Sequence, residues 1–292
     1  MTDRKLTVVD IRNRKGGETA ITMLTAYDYP WALLVDQAGI DMILVGDSLG
    51  MVVLGYPDTV SVTLDEMIHH VKAVSRTAKR SLVVGDMPFG SYNSDISRAV
   101  DNATRMLKEG RADCVKLEGG KSMAPVVDAL VRAGIPVQGH IGLTPQTASA
   151  LGGFKVQGKS AEAARALLED ARALEAAGCF SLVLEAIPSP IAAMVTESVS
   201  IPTIGIGAGV HCDGQVLVTH DMVGLFDRFT PKFVKQYADI RKTIAEALAA
   251  YKADVQNRTF PAEEHSFGMG AEELEKLREA LGEGEDRLRT GR

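Results

Sequence analysis

Four acidic residues are the first sign of chemistry in this chain, because each one follows a short apolar run. Such a run, ending at a polar residue, is typical of a buried parallel strand that delivers a carboxylate at its C-terminal end. One acid after a strand is ordinary, but four in one chain indicate a common site. The four are Asp47, Asp86, Glu118 and Glu185, after the runs 42–45, 82–84, 114–117 and 182–184.

Asp47, Asp86 and Glu118 predict a cation site if their strands bring them together. Two carboxylates about 4 Å apart repel each other by about 4 kcal/mol at an effective dielectric constant near 20. A cluster that stays ionised therefore needs a cation. Oxygen ligands without suitable Cys or His spacing favour Mg2+, or Mn2+ in its place. The alternative is that each acid simply caps the helix that follows it.

Lys116 lies two residues before Glu118 in the same run. The two-residue period of a strand puts both side chains on one face, so both are expected to point inward. A lysine in a protein interior is unfavourable unless it is paired. Lys116 therefore balances the acids or binds an anionic substrate carboxylate, with a purely structural salt bridge as the alternative.

Glu185 is the acid left over for proton transfer. The apolar run 182–184 surrounds it with groups that disfavour the charged carboxylate, which helps it act as a general base. A role as partner of a helix N-terminus is the alternative.

Three further features are less decisive. Ser48 offers a hydroxyl or an N–H to a substrate oxygen, or is an ordinary turn serine. His140 ends a predicted strand and either contacts substrate or is structural. The glycines of 205–209 allow a ligand to approach the backbone where barrels often hold phosphate, but a tight turn explains them equally well.

The elements that position these residues alternate between strand and helix over about 220 residues. Asp28 and the pair Thr63 and Glu66 are predicted helix caps, and 48–61 is predicted to be a loop. Alternation predicts repeated βαβ units, and eight of them predict a (β/α)8 barrel with its site at the C-terminal strand ends. A doubly wound open sheet is the alternative, but it would not readily gather acids from strands two, three, four and six.

A long amphipathic helix is predicted over 235–257, packed on the barrel wall or on a neighbouring subunit. We therefore expect one barrel domain with its C-terminal helix over 1–267. Residues 268–292 are predicted to be a charged tail, partly helical or disordered.

The composition excludes several classes of protein. The net charge of −6 over 292 residues gives no basic footprint for nucleic acid. No apolar run reaches the roughly 18 residues needed to span a membrane, and residues 1–17 lack the apolar core of a signal peptide. The three cysteines show no metal-binding spacing. We expect reduced core thiols in a cytoplasmic protein.

Eight short motifs follow one another along the chain. They are Leu24-Thr25-Ala26-Tyr27-Asp28-Tyr29, Val45-Gly46-Asp47-Ser48-Leu49-Gly50, Gly85-Asp86-Met87-Pro88-Phe89, Val115-Lys116-Leu117-Glu118-Gly119-Gly120, Gly139-His140-Ile141-Gly142-Leu143-Thr144-Pro145-Gln146, Ile204-Gly205-Ile206-Gly207-Ala208-Gly209, Cys212-Asp213-Gly214-Gln215 and His220-Asp221. With these motifs, the chain from Lys5 to Phe267 resembles the ketopantoate hydroxymethyltransferase family. The resemblance is specific, because the motifs occur in the expected order and no motif position departs from the family pattern.

The resemblance implies transfer of a hydroxymethyl group from 5,10-methylenetetrahydrofolate to 3-methyl-2-oxobutanoate, giving 2-dehydropantoate for pantothenate and coenzyme A biosynthesis. It also implies a homodecamer of barrels of the phosphoenolpyruvate mutase and isocitrate lyase group, with one Mg2+ per subunit. The expected chemistry is a Mg2+-stabilised enolate.

The resemblance also assigns the roles, residue by residue. Asp47 and Asp86 would bind Mg2+ directly, and Glu118 would complete the metal site directly or through water. Ser48 and Lys116, with the two aspartates, would bind the oxo acid. The proton acceptor would be Glu185.

Two other functions remain open from the sequence. A Mg2+-dependent lyase or mutase acting on another 2-oxo acid would use the same enolate chemistry without folate. Those relatives usually carry a cysteine in a catalytic loop such as Lys-Lys-Cys-Gly-His, and that motif is absent from this sequence. A non-catalytic barrel that binds an oxo acid is the third possibility, against which the inward acids and lysine argue.

Overall fold

The computed structural model describes residues 4–150 and 152–282 of the chain. Within these residues, eight parallel strands close into a barrel in which each strand pairs with its neighbours in sequence and β8 pairs with β1. This confirms the predicted barrel and excludes the open sheet. The strands are β1 Ile21–Thr25, β2 Met42–Val45, β3 Leu82–Asp86, β4 Cys114–Glu118, β5 Val137–Gly142, β6 Ser181–Glu185, β7 Thr203–Ile206 and β8 Gly214–Leu217.

The helices connect the strands and follow the last of them. They are α1 Val8–Arg12, α2 Tyr29–Gln37, α3 Leu49–Val52, α4 Leu64–Ser75, α5 Ile96–Lys108, α6 Ala124–Arg132, α7 Ala161–Ala176, α8 Ser189–Ser198, α9 Thr219–Met222, α10 Ile240–Asn257 and α11 Ala271–Ala280, with 3-10 turns at Lys121–Met123, Pro145–Thr147 and Glu263–His265.

The two-residue period of the strands divides the core into two layers. In β4, Cys114 belongs to the cluster inside the barrel, whereas Val115 and Leu117 belong to the cluster between the sheet and its helices. Lys116 and Glu118 continue the inward row towards the C-terminal end, and both are buried. The shared inward face predicted for these two residues is therefore confirmed.

The opposite, N-terminal end of the barrel is closed by α1. Thr7 and Asp10 form a capping box at its start, which fixes where the helix begins. Its one buried residue, Ile11, joins Ile21 and Met42 in the interior cluster. The barrel is thus filled with side chains at its base, and space for a ligand is left at the other end.

Most predicted elements are found, with two differences in detail. Asp28 caps α2, and Thr63 and Glu66 form the predicted capping box of α4. The predicted loop 48–61 contains the short helix α3. The helix predicted over 235–257 begins only at Ile240, where Asp239 caps it.

The chain forms two compact units, Met1–Ala238 and Asp239–Arg292. The barrel lies in the first unit, and α10 and α11 lie in the second. The boundary predicted from the sequence, between 267 and 268, remains a prediction, as does the packing of the long helix. The part of the predicted tail from 283 onward lies outside the described residues.

Two predictions from composition concern the cysteines and membrane spans. Cys114, Cys179 and Cys212 are all buried and free. None of the described helices is both long and apolar enough to cross a membrane.

Asp36 fastens the end of α2 to the start of β3. Its buried carboxylate accepts backbone N–H groups of Lys79, Arg80 and Ser81 at 3.2, 2.9 and 2.8 Å. Burial opposes the charged form, but these donors outweigh it and hold the pKa of Asp36 below its usual value.

We predict that Asp36→Ala lowers the free energy of unfolding by about 2–4 kcal/mol at pH 7, because one buried and two half-buried backbone N–H groups lose their acceptor. Urea denaturation followed by circular dichroism measures this change. Asp101→Ala, at an exposed position of α5, is the control and should stay within about 0.5 kcal/mol.

The pKa of Asp36 is lowered in the folded state, so its stabilisation is present above the unfolded pKa of about 3.9 and is lost as the pH falls further. The difference between wild type and Asp36→Ala should therefore shrink below about pH 4. A difference that does not depend on pH would contradict this account.

Candidate active site

A cavity of about 640 Å³ opens at the C-terminal end of the barrel. All six residues that the sequence predicts for the site line this cavity, and His140 joins them. The predicted convergence at one mouth is therefore what the structure shows. The six are Asp47, Ser48, Asp86, Lys116, Glu118 and Glu185.

Asp47 and Asp86 are neighbours across β2 and β3, and neither caps a helix. The backbone N–H of Asp47 donates to Asp86 Oδ2 at 3.2 Å. Asp47 Oδ2 accepts the side-chain amide of Gln146 at 2.9 Å. The alternative that these acids are helix caps is thus excluded, since both carboxylates are held at the mouth of the cavity.

Lys116 supplies a buried positive charge to the acids. Its Nζ lies 2.6 Å from Asp86 Oδ1 and 3.9 Å from Glu118 Oε1. Burial alone would favour a neutral amine, but Asp86, Glu118 and Asp47 outweigh it and raise the pKa of Lys116. The side chain is therefore an ammonium that is fixed at the cavity wall.

His140 lies between two of the acids. Its Nδ1 is 3.3 Å from Glu118 Oε1, and its Nε2 is 3.2 Å from Glu185 Oε2. Burial and Lys116 oppose a positive ring, but the two carboxylates raise the pKa of His140 to about 9. The raised pKa favours an imidazolium between Glu118 and Glu185, although neither ring nitrogen forms a hydrogen bond of good geometry with them.

The carboxylates outnumber the cations that face them. Burial, together with repulsion by Asp86 and Glu118, raises the pKa of Asp47 well above its usual value. Burial and Glu118 also raise the pKa of Asp86, although Lys116 opposes this. The pKa of Glu118 is lowered, because His140 and Lys116 outweigh burial. Asp47 and Asp86 are therefore the two acids whose charged forms the protein stabilises least, and a bound cation would stabilise them.

Ser48 occupies the residue before α3, but its side chain does not cap that helix. Its Oγ lies 2.9 Å from the hydroxyl of Tyr27, which is buried after β1. The hydroxyl is thus oriented by a tyrosine that the sequence reasoning did not single out.

Gln146 is a functional candidate that the sequence reasoning missed. Its backbone N–H donates to Glu118 Oε2 at 3.0 Å, and its Nε2 donates to Asp47 Oδ2 and to the carbonyl of Met87, each at 2.9 Å. Its Oε1 accepts the Tyr92 hydroxyl at 2.6 Å. Gln146, a single residue in the loop that follows β5, therefore binds both Asp47 and Glu118. In the sequence, only its place in the motif 139–146 indicated a role.

The glycine loop 205–209 serves the packing of an aromatic ring. Gly207 has φ of +63°, and a Cβ placed there would lie 2.7 Å from Cδ1 of Phe233. A side chain would displace that ring, which lines the cavity. The sequence predicted that a ligand could approach the backbone of this loop; in the structure, the side chain of Phe233 occupies that position at Gly207.

A second cavity, of about 610 Å³, lies at the N-terminal end of the barrel. It is lined by residues such as Arg14, Asp41 and Arg80, and it contains none of the predicted site residues. The chemistry therefore belongs to the C-terminal mouth, as in other (β/α)8 barrels.

The family model of ketopantoate hydroxymethyltransferase matches residues 5–263. The chain belongs to the ketopantoate hydroxymethyltransferase family. It is 60% identical over 283 residues to the 3-methyl-2-oxobutanoate hydroxymethyltransferase of Oleidesulfovibrio alaskensis, covering 97% of this chain and 98% of that one. It is 61% identical to the enzyme of that name in Syntrophobacter fumaroxidans, covering 94% and 96%. The family predicted from the motifs is confirmed.

Solved structures of lower identity share the fold. Phosphoenolpyruvate phosphomutase from Streptomyces platensis has a TM-score of 0.58 at 14% identity and covers 97% of this chain and 100% of its own. The 2,3-dimethylmalate lyase, a member of the phosphoenolpyruvate mutase and isocitrate lyase superfamily, has a TM-score of 0.56 at 14% identity, covering 95% and 100%. The (β/α)8 fold is thus shared with these proteins.

We predict that Lys116→Met lowers the free energy of unfolding by about 3–5 kcal/mol at pH 7, because the buried carboxylates lose their ammonium partner. Urea denaturation of protein kept in EDTA measures the change without added metal. Adding Asp86→Asn to Lys116→Met should recover part of the loss, giving a coupling of about 0.5–3 kcal/mol. Strictly additive effects would show that the 2.6 Å pair carries no interaction energy.

Proposed function

We propose that this chain transfers a hydroxymethyl group from 5,10-methylenetetrahydrofolate to 3-methyl-2-oxobutanoate, giving 2-dehydropantoate for pantothenate biosynthesis. One observation carries the proposal: three buried acids and an ammonium converge at the mouth of a barrel of this family. This arrangement suits a substrate that is itself an anion and must lose a proton from carbon. Membership of a transferase family at 60% identity supports the choice of reaction.

The acids fit one Mg2+ per subunit. No three Asp, Glu, His or Cys side chains of the described residues are placed to hold a metal by themselves. Mg2+ is usually held by one or two carboxylates, with water and substrate oxygens completing its coordination. Burial and repulsion by neighbouring acids disfavour the charged forms of Asp47 and Asp86, and a cation would relieve both effects, so we assign them as the direct ligands.

Glu118 is assigned to the metal site through water. One of its oxygens faces His140 at 3.3 Å, and the other accepts the Gln146 N–H at 3.0 Å. With both oxygens engaged, a bridging water is the simpler route to the ion. This choice decides between the two roles that the family resemblance left for Glu118.

The oxo acid is assigned to the space between the metal ligands and Lys116. When bound, Mg2+ supplies Lewis-acid stabilisation of negative charge that develops on the substrate oxygens. Lys116 offsets the charge of the substrate carboxylate, and Ser48, held by Tyr27 at 2.9 Å, offers a hydroxyl to it. The ammonium is already in place, so substrate binding need not order it.

Glu185 is assigned as the proton acceptor. Its side chain is 15% exposed, whereas the side chains of Asp86 and Glu118 are each 2% exposed, so Glu185 is the most accessible of these acids to a substrate. His140, 3.2 Å from Oε2, orients the carboxylate. Glu185 takes the proton from C3 of the oxo acid, and that carbon then attacks the folate methylene carbon. The carbon–nitrogen bonds to folate break, and water supplies the oxygen of the new hydroxyl.

The homodecamer and the cytoplasmic location expected from the resemblance remain predictions. So does the expected absence of nucleic-acid and membrane partners.

We predict that 2-dehydropantoate forms only when the protein receives 3-methyl-2-oxobutanoate, methylenetetrahydrofolate and Mg2+ together. Product analysis by mass spectrometry measures this requirement. EDTA should abolish turnover, and excess Mg2+ should restore it. Cleavage or rearrangement of a 2-oxo acid without folate would instead indicate the lyase or mutase alternative.

We predict that Glu185→Gln lowers kcat/KM by about 10²- to 10⁴-fold, because the amide cannot accept the proton. In D2O, exchange of the C3 hydrogen of the oxo acid, followed by NMR, should be lost as well. Glu197→Gln, at an exposed position of α8, is the matched control. Exchange retained by a correctly folded Glu185→Gln protein would contradict the assigned role.

A further inference from the structure

One buried acid of the cavity takes no part in the chemistry described so far. Asp221 follows β8 and lines the same cavity as Glu185, yet it is only 9% exposed. No side chain or backbone group within residues 4–150 and 152–282 forms a hydrogen bond or ion pair with its carboxylate. Burial without a partner raises the pKa of Asp221 to about 6. A buried carboxylate without hydrogen-bond donors is unfavourable, and a ligand that brings donors would stabilise it.

The neighbours of Asp221 do not provide those donors. The adjacent His220 packs against Tyr27 and Trp31, with ring centroids 5.3 and 5.6 Å apart. Burial lowers the pKa of His220, so it brings no positive charge to Asp221. The Asp221 carboxylate is therefore held in place without being neutralised.

Aromatic rings line the same part of the cavity. Phe226 and Phe229 contact each other with ring centroids 5.7 Å apart, and Phe233 lies against Gly207. Phe229 is 50% exposed and Phe233 is 37% exposed, so part of each ring is accessible to a ligand. Arg228 fixes this segment by donating to the carbonyls of Gly55 and Tyr56 at 2.9 Å each. The cavity thus has a wall of aromatic rings, two of them packed edge to face, and its lining also contains an unpartnered acid.

The oxo acid does not match this wall. It is small, it is an anion that Asp221 would repel, and it has no N–H group to donate. The pteridine of a reduced folate has the complementary chemistry: its pyrimidine half is planar, and its N3–H and 2-amino group are two adjacent donors that match the two oxygens of a carboxylate. Its faces suit aromatic side chains.

We propose that Asp221 binds the N3–H and 2-amino edge of the folate pteridine, which stacks against the wall formed by Phe226, Phe229 and Phe233. The assignment rests on the proposed function for its ligand class. It places the one-carbon donor on the β7 and β8 side of the mouth, across from Lys116 on β4. The two substrates then approach the same space from opposite sides.

The test is binding of tetrahydrofolate, measured by titration calorimetry, to wild type, Asp221→Asn and Asp221→Ala. We expect Kd to rise about 10- to 100-fold in both variants, because a two-point charged contact is lost. KM for methylenetetrahydrofolate should rise in parallel, while KM for the oxo acid should change less than about 2-fold. Asp101→Asn, at an exposed position of α5, is the matched control.

A second arm separates recognition from a general loss of structure. A tetrahydropteridine whose 2-amino group is replaced by oxygen should bind wild type more weakly than tetrahydropterin does, and Asp221→Asn should lose most of that discrimination. Exchange of the C3 hydrogen of the oxo acid, which needs no folate, should be unchanged in the Asp221 variants. Wild-type exchange and turnover test the proposed function separately. Unaltered tetrahydrofolate binding, or loss of binding together with loss of exchange, would overturn the assignment of Asp221.

Discussion

Repulsion between buried carboxylates is the constraint on which the C-terminal end of this barrel depends. Asp47, Asp86 and Glu118 come from three neighbouring strands and are all nearly excluded from solvent. Negative charges that are buried close together repel each other by several kcal/mol unless cations or hydrogen-bond donors face them. Lys116 and His140 face these acids, but burial and repulsion still disfavour the charged forms of Asp47 and Asp86. The site is therefore built to attract a cation.

The same constraint explains the groups around the acids. Gln146 bridges Asp47 and Glu118, and Tyr92 in turn fixes the amide of Gln146. His140 connects Glu118 to Glu185. Each acid thus has a defined orientation before any ligand arrives, which lowers the reorganisation needed when charge moves in the reaction. Asp221 lacks such partners, and this difference is what separates it from the acids of the metal site.

The two-residue period of the strand explains why Lys116 lies among the buried acids. In β4 the inward positions are Cys114, Lys116 and Glu118, so the interior changes from apolar to charged within one strand. The barrel base is filled by apolar side chains and closed by α1, whose Ile11 is fully buried. The polar side chains of the inward row therefore face a ligand at the C-terminal mouth. Fold stability and chemistry are separated along the barrel axis, as is common in (β/α)8 proteins.

The sequence alone determined the barrel, its family, the inward face of Lys116 and Glu118, and the acids that meet at the mouth, because strand period and strand-end position are local properties. Only the tertiary structure decided what each acid contacts. Gln146 donates to Asp47 from 99 residues away along the chain, and no local pattern encodes such a pair. Ser48 likewise took its partner Tyr27 from another strand end. The sequence could not show that the Asp221 carboxylate is buried without a hydrogen-bond partner, because that depends on the positions of all the residues around it.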